Sequence, residues 1–161
     1  ESMMKKPIAK LSLALAVLML ALLAGCAPKP QAKNVPVEEI ASKVIPEELK
    51  NAMMESDPAF VAEATGLDLG LIEEGKYYDP MMNIRVFTCY IAKVKDASNV
   101  ETVKTGFEKR LKAQQDAFAQ YLPDQYELAL KGQVVVEGNY VMLAILEDTP
   151  AAVSAFQSLL K

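Results

Sequence analysis

Apolar positions fall into three regimes along the 161 residues. Leu11 to Leu23 is apolar throughout except for Ser12. Ala27 to Pro36 then carries three Pro, two Lys and a single large apolar residue, Val35. From Val37 onward the pattern becomes periodic. Val37, Ile40, Ala41 and Val44 recur at helical spacing. Pro46-Glu47-Glu48 predicts another first turn, with Pro at N1 and acids at the positive end of the helix dipole. Asp57-Pro58 repeats the cap-then-Pro signal, and Gly66 closes that helix. Asp68 to Gly75 reads as one more short helix, capped by Asp68 and ended by Gly75. Ile84 to Val94 is rich in β-branched and aromatic residues and predicts a strand. Both of its alternating faces are apolar, which predicts a central position in a sheet.

Ser98 to Tyr121 reads as a long helix. Ser98 and Glu101 have capping-box spacing. Val100, Val103, Phe107, Leu111, Gln114, Phe118 and Tyr121 then step by three or four and define one buried stripe. Pro123 stops the helix, and Asp124 to Leu130 suggests a further turn. Val134 to Glu137 and Tyr140 to Leu146 flank Gly138-Asn139, a two-residue hairpin turn. Thr149 and Pro150 predict the cap and first residue of a last helix, with Val153, Phe156 and Leu160 on its core face. The expected fold is α+β. A small antiparallel sheet of about three strands, one central strand plus the C-terminal hairpin, packs with the long central helix, a C-terminal helix and short N-terminal helices.

The first two regimes read as export and anchoring. Glu1 and Ser2 precede the first Met, so the start is counted from Met3 or Met4. Lys5, Lys6 and Lys10 form a basic region ahead of the apolar run, which has signal-peptide length. The run ends in Leu23-Ala24-Gly25-Cys26 and resembles the lipobox of bacterial lipoproteins. That resemblance implies a diacylglycerol thioether on Cys26 and cleavage before it, leaving the protein at the outer face of the cytoplasmic membrane. Residues 1–25 are then a removed signal peptide, 26–36 the lipidated Cys with a Pro-rich tether, and 37–161 a single domain. Ten polyproline-like tether residues reach roughly 30 Å.

Composition sharpens under this division. The mean hydropathy of +0.12 is high for a chain that is 24% charged, and the leader supplies the excess. The whole-chain charge of −4 becomes −6 from Cys26 onward, with 14 basic and 20 acidic side chains. Neither value points to nucleic acid as a partner. The absence of His removes Ser-His-Asp triads, Cys-His dyads and His-ligated zinc. With Cys26 lipidated, Cys89 has no intrachain partner.

Four stretches stand out from about Ile40 onward: the strand Asn83 to Val94 continuing through Lys95-Asp96, the helix end Phe118-Ala119-Gln120-Tyr121-Leu122-Pro123, Gly138-Asn139-Tyr140-Val141, and the closing helix through Phe156. On these the chain resembles a family of lipid-anchored proteins of Gram-positive bacteria, classed as domain of unknown function 4358. The family pattern tends to have Tyr where this chain has Thr65, before Gly66-Leu67-Asp68. The resemblance implies fold and location and brings no established activity. Association of some members with membrane-bound O-acyltransferase gene neighbourhoods frames an envelope or membrane protein as partner.

Candidate chemistry is sparse. Cys89 lies mid-strand and reads as a buried, inert thiol. Asp68 reads as a helix cap, and Glu73, Glu74 and Asp79 as solvated helix-end charges; no calcium-loop spacing joins them. Lys104, Lys109, Arg110 and Lys112 lie off the apolar stripe among Glu101, Glu108 and Asp116, which predicts a solvated face with Glu108 and Lys112 paired. Tyr77, Tyr78, Met81 and Met82 flank Asp79-Pro80 and are the candidate partner surface. No catalytic, cofactor-binding or metal-binding set is expected. The expected function is a non-enzymatic accessory or binding domain at the outer membrane face. A small carboxylate-dependent envelope enzyme and a small-ligand-binding lipoprotein are the alternatives; the first requires a buried acid in a cleft, the second an apolar pocket.

Overall fold

A computed structural model describes residues 31–161. The lipobox and Cys26 lie outside the described residues.

Alternation along two strands organises the domain. In β3 (Thr88–Val94), Tyr90, Ala92 and Val94 face one way and Cys89 and Ile91 the other. In β5 (Tyr140–Ile145), Val141, Leu143 and Ile145 share the first face, and Tyr140, Met142 and Ala144 share the second. Every one of these residues is buried, so neither face of these strands meets water. The sheet is antiparallel and five-stranded, in the order β1-β2-β3-β5-β4. The remaining strands are β1 (Met53–Glu55), β2 (Ile72–Pro80) and β4 (Gln133–Glu137).

Helices cover both faces. α1 (Val37–Val44) and α5 (Thr149–Leu160) pack on the Cys89 face through Ile40, Val44, Phe156 and Leu160. α2 (Pro58–Thr65), α3 (Val100–Phe118) and α4 (Pro123–Leu130) pack on the Tyr90 face through Val61, Val103, Phe107, Phe118 and Ala129. The fold is α+β. Five strands replace the three expected.

The two added strands lack the usual signal. β1 is Met-Met-Glu, with no β-branched residue. β2 takes the second half of the segment read as a short helix. Only Leu69–Leu71 is helical there, as one tight turn capped by Asp68. Gly75 does not end a helix but pairs with Ala92, and a register shift between Ile72 and Glu74 absorbs one residue as a bulge. β3 begins at Thr88, later than expected, because Arg85 N–H donates to the Met82 carbonyl and closes a turn instead.

Two helix starts also differ in detail. Asp96, not Ser98, supplies the cap before α3: its carboxylate accepts from both the amide and the hydroxyl of Ser98. No capping box forms. Likewise Asp148 caps α5 by accepting from Ala151 N–H, while the Thr149 hydroxyl is engaged with the backbone of Leu146. The Asp57 cap is found as expected, and Gly66 closes α2. The hairpin turn also forms. Gly138 takes φ +58° and Asn139 does not enter the positive region, which is the pattern of a turn needing Gly at its first central position.

Candidate functional site: a buried Asp–Arg–Tyr cluster beneath an exposed methionine loop

Asp79 lies near the end of β2, on the Tyr90 face of the sheet, and is buried. It is a strand residue beneath α3, not a solvated helix-end charge. Its Oδ1 accepts from Arg110 Nη2 at 2.7 Å. Its Oδ2 accepts from Ser56 Oγ at 2.6 Å and from the Tyr90 hydroxyl at 2.5 Å. One carboxylate therefore ties together β2, β3, α3 and the residue after β1. Arg110 is likewise not part of a solvated face, since its side chain is only 13% exposed. Its guanidinium carbon sits 5.3 Å from the centroid of the Phe60 ring, a cation–π contact from α2. Its Nε is buried and has no acceptor among the described residues.

Aromatic packing completes the cluster. Tyr90 meets Tyr77 edge-on at 5.4 Å and Phe107 at 5.7 Å. Burial, with the neighbouring Asp79 charge second, holds the Tyr90 phenol above its ordinary range. Burial pushes Tyr77 up to about 12. Both phenols are therefore neutral at physiological pH, and that of Tyr90 donates to Asp79. Each Asp79 oxygen has at least one short donor, so the carboxylate acts as a hub. Three of the carboxylate's roughly four acceptor positions are filled by these donors.

The segment that leaves this hub is exposed. Met81 and Met82 are each 58% exposed, and Ile84 and Met54 also face solvent. The base of the loop is held by the Met81 amide on the Ala52 carbonyl, by β1 pairing at Met53–Pro80 and Met54–Asp79, and by the Asp79 bonds. Of the candidate partner surface, Met81 and Met82 stand in solvent. Tyr77 is buried in the Tyr90-face core, and Tyr78, half-buried, packs against the opposite core. Successive strand residues point to opposite faces, so the two Tyr cannot share a surface.

The other charges are distributed as follows. Lys104 lies 3.8 Å from Glu101 and 3.7 Å from Glu108, and Lys112 pairs with Asp116 rather than with Glu108. Glu73 pairs with Lys93, and Glu74 accepts from the Val37 amide. Lys76 bridges Glu38 and Glu55, which together raise its pKa. Cys89 is fully buried, and burial pushes its thiol up to about 12. A shallow open groove of about 430 Å³ lies between the end of α2 and the first half of α3, lined by Thr65, Gly66, Leu67, Thr105 and Lys109 among others. It does not reach the Asp79 cluster.

Sequence reasoning missed Asp79 and Arg110. A signal for Arg110 was present: Val103, Phe107, Arg110 and Gln114 share helical spacing as good as the stripe drawn through Leu111. Gln114 also works inward, donating to Thr88 Oγ1 at 2.9 Å.

No curated protein and no solved structure matches the chain. A family model described as Domain of unknown function (DUF4358) matches residues 46–146, which is more than half of the chain and includes all five strands. The chain belongs to the DUF4358 family.

Proposed function

We propose that the protein is a lipid-anchored, extracytoplasmic, non-enzymatic accessory domain that binds a membrane or envelope protein through its Met81–Met82 end. The observation that carries this reading is Leu23-Ala24-Gly25-Cys26 at the close of a signal-length apolar run preceded by three Lys. Diacylglycerol supplies two chains, enough for stable anchoring, and confinement near the bilayer raises the effective concentration toward other membrane components. The site geometry supports a binding role. Two exposed Met on a loop with a rigid base form an adaptable apolar contact, and the buried acid beneath them is committed to Arg110, Tyr90 and Ser56.

The test is a photo-crosslinking amino acid placed at Met82 or at Lys109 in cells expressing the full chain. The reading expects an envelope protein crosslinked from position 82 and not from 109, with the adduct in the membrane fraction. Equal adducts from both positions, or none from 82, would overturn it.

A further inference from the structure

Residues 32–37 are not a free linker but a strap laid on the domain. The Lys33 amide donates to the Leu160 carbonyl at 2.9 Å, at the end of α5. The Tyr140 hydroxyl accepts from the Val35 amide at 3.0 Å and donates to the Val35 carbonyl at 2.7 Å, closing both backbone groups of one residue. Asn34 Oδ1 accepts from Lys93 Nζ at 2.9 Å, and Glu74 takes the Val37 amide at 3.0 Å. Ala32 lies against Gly138, where an added Cβ would sit 2.8 Å from the Ala32 methyl. The strap itself precedes the stretch matched to the family, yet Gly138 and Tyr140, which clamp it, lie inside that stretch.

All of these contacts gather at one end of the sheet: the start of β2, the end of β3, the β4–β5 turn and the start of β5. The Met81–Met82 loop is at the other end, where β2 finishes and β3 begins. The seven residues of β3 separate the two ends by about 20 Å.

We infer that this strap orients the domain on its anchor, holding the β4–β5 turn end toward the bilayer and the Met81–Met82 loop away from it. The inference rests on the anchor proposed at Cys26. Five Cα steps join Cys26 to Gln31 and span at most about 18 Å. A strap free up to Val37 would have eleven steps and reach about 40 Å, enough for the domain to turn over. Docking thus changes a swinging tether into a short one fixed to one pole.

The experiment uses the full chain, expressed in a Gram-positive host and added to phosphatidylglycerol–phosphatidylcholine vesicles that contain an acceptor-dye lipid. A donor dye is attached through Lys95→Cys, exposed at the strap end, or through Met82→Cys. Energy transfer from position 95 should be several-fold greater than from 82. Tyr140→Phe, which removes only the clamping hydroxyl, should bring the two positions toward equality. Trypsin cleavage after Lys33 should rise about tenfold in the same variant, as expected for losing two hydrogen bonds. Equal transfer in the parent protein, or unchanged cleavage in Tyr140→Phe, would overturn the inference. Absence of transfer from both positions with the protein left in solution would overturn the anchor reading itself, and the orientation with it.

Discussion

Replacing Arg110 with Met keeps most of the aliphatic stem and removes the charge that faces Asp79. Ser56 and Tyr90 would still donate to the Asp79 carboxylate, but a buried charge would be left without its opposite. Breaking a buried ion pair from one side costs about 3–5 kcal/mol. The side chains here are 13% and 10% exposed, so solvent recovers part of that, and about 3 kcal/mol is expected. With a urea slope of about 2 kcal/mol/M, the unfolding midpoint should fall by roughly 1.5 M with little change in slope. The chain has no Trp, so far-UV circular dichroism is the suitable probe. Asp79→Asn alone should also destabilise, because it leaves the Arg110 charge buried. The double variant should cost about 1–3 kcal/mol less than the sum of the singles. A loss below about 1 kcal/mol in Arg110→Met, or strictly additive singles, would show the pair to be no better than a surface bridge and would refute the hub assignment.

Alkaline pH should destabilise the domain. The Cys89 thiol is raised from 9.0 to about 12, so above pH 9 the unfolded chain releases a proton that the folded chain keeps. That stabilisation is intact below pH 9 and declines by about 1.4 kcal/mol per pH unit as pH rises toward 12. Tyr77, raised from 10.0 to about 12, adds to the decline from pH 10. Thermal melts at pH 7, 9 and 10 should show it, and Cys89→Ala should flatten the step between 9 and 10; an equal step in both proteins contradicts the burial argument. Gly138→Val should cost about 1–3 kcal/mol, since a β-branched residue at φ +58° is strained and meets Ala32, and trypsin should then cut faster after Lys33. Paired Met81→Ser and Met82→Ser changes should shift stability by no more than about 0.5 kcal/mol each while abolishing the adduct formed by a crosslinking residue placed at Ile84 of the same loop. A large stability loss would mean that the loop is core.

Where hydrophobic periodicity was strong, the fold was legible. β3, the β4–β5 hairpin and α3 all form, because their apolar spacing has one structural solution. β2 was hidden by composition: Ile72-Glu-Glu-Gly-Lys carries acids and a Gly that mimic a helix ending, and its pairing partners in β3 lie 11 to 22 residues away. The candidate site was half legible. Exposure of Met81 and Met82 follows from a Pro-containing turn, but Tyr77 and Tyr78 had to diverge once the segment became a strand. The Asp79–Arg110 bond joins residues 31 apart, and only the packing of α3 over the end of β2 brings them together. The strap was hidden for a similar reason. Pro-rich composition predicts an extended backbone, and composition cannot show that a Tyr hydroxyl 105 residues later closes on Val35.

Cys26→Ala removes the thiol on which the proposed membrane anchor depends. The full chain and the variant should be expressed in a Gram-positive host, fractionated, and weighed intact by mass spectrometry. The parent should sediment with membranes and carry a diacylglycerol adduct on a chain beginning at Cys26. The variant should lose both the adduct and the membrane association. A variant that remains as firmly membrane-bound as the parent, or a parent of unmodified mass, would contradict the claim.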